Sequence, residues 1–116
     1  MCISNAKEFI MPEMLAWKVF LVKNDRLFSP IYKNLSYEVG KIYNSDGTLG
    51  ELDENPDKGF HAFFRKHKAK RFARNECSPV VVKRVRLYDV KWKGFYYGNL
   101  FRDVVTAERM EILPDN

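Results

Sequence analysis

The apolar and polar positions in the first third of the chain predict a strand, a turn and a short extended piece. Residues 15–22 are rich in aromatic and β-branched side chains, which predicts a first strand. Asn24 and Asp25 follow it and favour a hairpin turn. Residues 27–31 are predicted to be extended, and Pro30 confines them to a sheet edge or a strand end.

Period-two alternation returns in three later segments. Residues 37–43 predict another strand, in which Gly40 marks a bulge or a close backbone approach. Residues 80–88 give the strongest strand pattern in the chain. Residues 104–113 predict a final strand, although residues 106–113 also fit a helix.

The two faces of these strands differ in chemistry. The positions predicted to point inward are Val81, Val85, Leu87, Met110 and Ile112. The other face of the Val-rich strand is basic and aromatic, and it carries Val82, Arg84, Arg86 and Tyr88. We therefore expect that face to be partly exposed to solvent.

A Gly-Phe-His-Ala-Phe-Phe segment at residues 59–64 predicts a short aromatic strand that runs directly into a helix. On a helical wheel the small and apolar side chains share one arc, formed by Ala62, Ala69, Phe72 and Ala73. Residues 65–74 hold six Lys or Arg and no acid, so cations cover the rest of the wheel. Arg65 falls inside the apolar arc, which favours a helix that begins a residue or two later.

Together these elements predict an α+β fold. We expect a mostly antiparallel sheet of four to six strands, with one central, basic, amphipathic helix packed on one face. The 116 residues, 46% of them apolar, fit one domain over residues 1–116. Residues 44–58 are acidic and rich in turn residues and are predicted to be a mobile loop. Residues 91–99 are predicted to be an aromatic hairpin or a protruding loop.

The formal charge of +5 is divided unevenly along the chain. Residues 44–57 carry a net charge of −5, whereas residues 58–93 carry a net charge of +10. Charge segregated in this way produces a local field that attracts polyanions. The simpler alternative is that the two blocks neutralise each other on the surface.

Composition also excludes several classes of function. No apolar run reaches the length of a membrane span, and the N-terminal residues show no signal-peptide pattern. Cys2 and Cys77 lie far apart without CxxC spacing, so two free thiols in a reduced, cytoplasmic protein are expected, and a Cys2–Cys77 disulfide is the alternative. The acidic loop does not match a calcium-binding loop, and no metal site or cofactor is predicted.

The predicted binding site combines cations with aromatic side chains. Cationic clusters bind phosphates because each contact releases a counterion, and aromatic side chains stack on bases. The residues proposed to bind a polyanion or a protein partner are Lys68, Lys70, Arg71, Arg74, Arg84, Arg86, Trp92, Tyr96 and Tyr97. The alternative is a solvated helix face beside aromatic side chains of the core.

His61 is a weak candidate for catalysis. A histidine beside the turn into the helix can orient a phosphate or act as a base. The sequence places no acid or cysteine beside it at a telling spacing, so a structural role is the competing interpretation. No other catalytic residue is predicted, and a binding protein is favoured over an enzyme.

The order of these segments, and above all Gly-Phe-His-Ala-Phe at residues 59–63, resembles small uncharacterised proteins of bacteriophage and prophage genomes. That family has no established activity. The resemblance implies a bacterial host cell and an accessory role such as countering host defence, for example by inhibiting a CRISPR nuclease complex. The cationic helix departs from the family, in which the helix is more mixed in charge.

Three hypotheses follow for the function. The first is a non-enzymatic binding protein whose basic helix–strand surface binds nucleic acid, a phosphorylated nucleotide or an acidic surface of a host protein that handles nucleic acid. The second is an enzyme that acts on a nucleotide-type ligand, with His61 in a cleft near Tyr43 or Tyr97. The third is a self-associating structural protein. The sequence leaves the oligomeric state open.

Overall fold

The computed structural model describes residues 3–28, 36–44, 59–75, 79–96 and 101–115. This part of the chain contains seven strands and one short helix, in a fold dominated by antiparallel sheet. In chain order the elements are β1 (Ile3–Lys23), β2 (Arg26–Phe28), β3 (Ser36–Tyr37), β4 (Ile42–Asn44), β5 (Phe60–Phe63), α1 (Lys66–Ala73), β6 (Val80–Tyr96) and β7 (Phe101–Ile112).

The three long strands β1, β6 and β7 are antiparallel neighbours, and β5 joins the two outer ones. β6 lies between β1 and β7 along most of its length. β5 pairs with β7 from Phe60 to Phe63, and Phe63 also pairs with Trp17 of β1. The strand pairings β1–β6–β7–β5–β1 therefore form a closed cycle, to which β2, β3 and β4 add short edges.

The side chains on one face of these strands pack against one another across the closed cycle and form the main core, which we call the inner cluster. Its largest fully buried side chains include Phe20, Leu87, Met110 and Ile112. Strand register explains the grouping, because Val85 pairs with both Ala16 and Ile112 across the sheet. Burial of each such side chain contributes roughly 1.5–3 kcal/mol, so these strands hold the fold together.

The helix packs on the opposite face of the sheet. Phe72 and Ala69 of α1 are buried against Val19, Phe63 and Val104, a group we call the helix cluster. The rings of Phe72 and Phe63 lie 5.4 Å apart between centroids. A helix of eight residues is too short to be stable alone, so this packing is what holds it in place.

The helix begins at Lys66, with Arg65 in an extended conformation at the N-cap position. This agrees with the expectation that the start lies later than the wheel first indicates. Ala62 belongs to β5 and lies in the inner cluster, so it is not part of the helical arc. The predicted short aromatic strand that leads into the helix is confirmed by β5.

The predicted hairpin turn after the first strand and the predicted final strand are both confirmed. Asn24 and Asp25 form the β1–β2 hairpin turn, with φ angles of 52° and 60°, as a two-residue turn with both central residues left-handed requires. Residues 104–113 lie almost wholly in β7, so the helical alternative is wrong. Met110 and Ile112 are both fully buried, as predicted.

The prediction of one strand over residues 37–43 is wrong. The chain turns at Gly40, whose φ of 88° favours glycine, and its N–H donates to the carbonyl oxygen of Ile112 over 2.9 Å. Tyr37 therefore lies in β3 and Tyr43 in β4, although their rings still meet edge to face at 4.9 Å. An added Cβ at Gly40 would have no neighbour within 4 Å, so the positive φ, and not the predicted close backbone approach, explains this glycine.

The aromatic segment predicted as a hairpin or loop continues β6 instead, up to Tyr96. Asp89 has a φ of 56°, and the pairing of β6 with β7 shifts between Val90 and Trp92. This irregularity interrupts the alternation that marks a strand, which explains why the sequence suggested two separate segments. Residues 97–99 lie outside the described part.

The first strand is longer than predicted, and the strand count exceeds the expected four to six. Residues 15–22 form only the second half of β1, because register shifts between Ser4 and Lys7 and between Glu8 and Met11 obscure the alternation before them. The additional strands are short pieces of two or three residues. Most of the acidic loop at residues 44–58, together with Cys2 and Cys77, lies outside the described residues.

Candidate anion-binding surface

The cations of the helix lie on the side that faces away from the sheet. Because Ala69 and Phe72 are buried, Lys70 and Arg71 are exposed, as is Arg74 at the C-cap position. Lys68 is half-buried. Residues 59–75 contain no Asp or Glu, so no acid in this segment offsets the charge.

Part of this charge also stabilises the helix itself. Lys70 and Arg71 occupy the last turn, where the carbonyl end of the helix dipole favours a positive charge by about 0.3–1 kcal/mol. Asn75 supports the same end, since its Nδ2 donates to the carbonyl oxygen of Arg71 over 3.0 Å. A structural role therefore accounts for some of the basic character, but it does not require four cations.

Arg84 lies on the face of β6 on which the helix packs. Val82 contacts the helix cluster and pairs with Val19, and Arg84, two residues further on, pairs with Trp17. Alternation along the strand places both side chains on the same face. We define the helix surface as Lys68, Lys70, Arg71 and Arg74 together with Arg84.

Arg86 occupies the same face of β6 but differs in its electrostatic surroundings. Its Nε lies 3.1 Å from Oε1 of Glu13 on β1, and both side chains are partly exposed. The carboxylate offsets most of the charge that Arg86 would present to an anion. The structure thus brings Arg86 to the predicted face and also supplies it with an acidic partner that the sequence did not reveal.

Some of the other cations in the described residues are ion-paired, as Arg86 is, whereas others, such as Lys7 and Lys93, are not. The other ion pairs among the described residues are Lys41 with Glu38 at 2.7 Å, Arg65 with Asp103 at 3.1 Å, Lys83 with Asp115 at 2.6 Å and Arg109 with Asp89 at 2.8 Å. The members of the helix surface form no ion pair within the part of the chain that the structure describes. The helix surface is therefore one region in which positive charge has no acidic partner among the described residues.

The predicted aromatic members of the site are placed only in part. Trp92 is half-buried in β6, where it pairs with Thr106 of β7 and Glu8 of β1. Tyr96 is the last residue of β6, and Tyr97 lies outside the described residues. The contribution of these aromatic residues to binding therefore stays a prediction.

His61 lies within the sheet rather than in an open cleft. It pairs with Thr106 of β7 and is only 4% exposed. Its carbonyl oxygen accepts a hydrogen bond of 2.6 Å from Nζ of Lys18. In this conformation the imidazole offers solvent almost no surface, so a substrate reaches it only if the strands part.

Lys18 is a residue that sequence reasoning missed. It is 5% exposed and lies between the buried residues Ala16 and Phe20 on the inward face of β1. Burial lowers the pKa of its ammonium group to about 8, because an apolar interior disfavours the charged form. The signal in the sequence was a lysine at an inward position of a strand, in an otherwise apolar row.

The described part of the structure contains neither a cluster of metal-binding side chains nor a helix that could span a membrane. No three His, Cys, Asp or Glu side chains come together there as a metal site requires. Within the same residues, no helix has the length and the hydropathy needed to cross a membrane.

Comparison of the chain with protein-family models, with curated proteins and with solved structures finds no match. The resemblance to phage proteins accordingly gains no support from these comparisons.

Proposed function

We propose that this protein is a non-enzymatic binding protein whose helix surface binds the phosphate backbone of nucleic acid. The observation that carries the proposal is the set of cations on α1, which have no acidic partner among the described residues. Lysine and arginine side chains that are not neutralised by the protein release counterions from a polyanion when they contact it. Ion-paired cations gain much less from the same contact.

The arrangement of these cations suits an extended polyanion. Lys70 and Arg74 are four residues apart on α1, so they lie one above the other along one side of the helix. Arg71 lies beside them, and Arg84 extends the charge onto the sheet. Four to five phosphate contacts predict a slope of log K against log salt of about −3 to −3.5 for single-stranded RNA and about −3.5 to −4.5 for duplex DNA.

The experiment is a titration of labelled single-stranded RNA and of duplex DNA by fluorescence anisotropy at several salt concentrations. The test variant is Lys70→Glu with Arg71→Glu, for which we expect affinity to fall roughly 30- to 100-fold. The matched control is Lys23→Glu with Arg26→Glu, which changes the net charge equally at the exposed β1–β2 hairpin. Lys70→Gln with Arg71→Gln separates loss of contact from repulsion at the helix end.

The outcomes distinguish several accounts. Weaker binding in the helix variant, with binding kept in the hairpin control and a similar thermal melt, supports the helix surface. Equal losses in both variants would show that net charge alone drives binding and would overturn this site. Absence of binding to either nucleic acid would overturn the proposal and direct attention to an acidic surface on a host protein.

The biological setting is a further part of the proposal and rests on the resemblance to phage proteins alone. A small protein with such a surface could inhibit a host nuclease complex by competing for its nucleic acid. This role requires the surface first to bind nucleic acid in the salt-dependent manner described above. Inhibition assays with a purified nuclease complex are therefore the second experiment, not the first.

A further inference from the structure

A second concentration of positive charge surrounds a pocket at the end of the closed cycle of strands. The pocket is open to solvent on one side and has a volume of about 470 Å³, and its described lining consists of Lys7, Phe64, Lys93, Gly94, Phe95 and Asp103. We call it the end pocket. Its volume falls within the range of small-molecule sites, which is roughly 300–1,000 Å³. No member of the helix surface lines it.

The two lysines of the end pocket are direct cross-strand partners. Lys7 of β1 and Lys93 of β6 lie opposite each other in the register, and both are exposed. Side chains at such positions point to the same face of the sheet, with their Cβ atoms about 4.5–5.5 Å apart. Two like charges held so close destabilise the strand pair unless an anion lies between them.

Among the residues that the structure describes around the end pocket, no carboxylate forms an ion pair with either lysine. Asp103 lies in the lining, but its Oδ2 is 3.1 Å from Nε of Arg65. Glu8 is next to Lys7 in β1 and pairs with Trp92, so alternation directs it to the opposite face. Nζ of Lys93 lies 5.2 Å from the centre of the Phe9 ring, a contact that fixes its position without cancelling its charge.

Aromatic side chains complete the lining. Phe64 follows β5 and Phe95 lies in β6, and these strands flank β7 on its two sides. The backbone N–H of Phe64 donates to the carbonyl oxygen of Asp103 over 3.0 Å, which anchors this wall. Gly94 has no side chain to fill the space between them. The guanidinium carbon of Arg65 lies 5.6 Å from the centre of the Phe64 ring, so a flat ligand ring that stacks on Phe64 would share that ring with Arg65.

We propose that the end pocket binds a nucleoside monophosphate, with its phosphate between Lys7 and Lys93 and its base against Phe64 or Phe95. The paired lysines supply two charge-assisted contacts to phosphate oxygens, and the phenylalanines supply the apolar surface. Neither group alone would distinguish a nucleotide from a free anion or from an apolar compound. The site is separate from the helix surface, so it stands or fails independently of the proposed function.

The test is isothermal titration calorimetry of the full chain with AMP, adenosine and inorganic phosphate, each at millimolar concentration. We expect AMP to bind at least about tenfold more tightly than adenosine or phosphate, because only AMP engages both halves of the site. The variants are Lys7→Met and Lys93→Met. Lys23→Met, at the far end of the same strand, is the matched control.

Lys7→Met is expected to weaken AMP binding by about tenfold or more and to leave the unliganded protein at least as stable, since it relieves repulsion between the lysines. The control should change neither property. AMP affinity equal to that of adenosine, or no detectable binding, would overturn the proposal. An equal loss of AMP affinity in Lys70→Gln with Arg71→Gln would also overturn it, because it would place the nucleotide on the helix.

Discussion

The helix and the outer face of the sheet are both rich in cations, yet they differ in what surrounds the charge. On the sheet, Arg86 and Arg109 are held by Glu13 and Asp89 at 3.1 Å and 2.8 Å. By contrast, residues 59–75, which include α1, contain no Asp or Glu. The difference teaches that the density of Lys and Arg along a sequence does not measure available charge. Pairing across strands decides which cations can bind an anion.

The most severe way to break this comparison is to detach the helix from the sheet. Phe72 is 3% exposed and packs on Phe63, so Phe72→Ala should lower the free energy of unfolding by about 3–5 kcal/mol. Urea denaturation measures this loss. Ile10→Ala, at a side chain that is 69% exposed, should change stability by less than about 0.5 kcal/mol. Similar effects for the two variants would contradict the packing described for α1.

Lys18 sharpens the comparison, because this cation has no acidic partner among the described residues and is only 5% exposed to solvent. Its folded pKa of about 8 lies below the ordinary value of 10.5. Below pH 8 the Lys18 amine is protonated in both the folded and the unfolded state, so the folded protein bears the full cost of burying a charged ammonium group. As pH rises from about 8 to 10.5 this cost is relieved, by about 3 kcal/mol in total.

Lys18→Met should therefore abolish a rise in stability between pH 8 and pH 10.5 that the native protein shows. Urea unfolding of both proteins at pH 7 and at pH 10 measures the difference, and groups that titrate alike in both cancel out. At pH 7 the variant should be more stable, although loss of the bond to the His61 carbonyl reduces the gain by about 1 kcal/mol. Identical pH profiles would show that the charge of Lys18 is solvated.

The smallest expected effect comes from converting a paired cation into an available one. Glu13→Gln removes the carboxylate that lies 3.1 Å from Arg86. Stability should change by at most about 1 kcal/mol, because the pair is exposed. Affinity for single-stranded RNA should rise a few-fold, and the slope of log K against log salt should become steeper by about 0.7, as expected for one additional phosphate contact. Unchanged affinity would show that the outer face of β6 lies outside the interface.

The sequence predicted the local elements well, because they depend on neighbouring residues. Asn24 and Asp25 specify their turn by their own conformational preferences, and β7 shows the alternation that its buried face requires. The partners of Arg86 and Lys7 could not be predicted, because Glu13 and Lys93 meet them only through long-range strand register. The bulges that set this register also hid the first half of β1.

The candidate site was predicted in the same uneven way. The cations of α1 follow from the helical wheel, so Lys70 and Arg71 were correctly placed on an exposed surface. The end pocket was missed, because its lining comes from four segments that are remote in sequence. Charge composition identifies a region, but only the fold shows which charges remain without partners.

The most direct test of the central claim is the salt dependence of RNA binding by the native protein and by Lys70→Gln with Arg71→Gln. If the helix surface contacts phosphates, removing two cations should make the slope of log K against log salt shallower by about 1.4. The hairpin variant Lys23→Gln with Arg26→Gln, which loses the same charge elsewhere, should keep the native slope. A slope unchanged in the helix variant would contradict the assignment of the binding surface to α1.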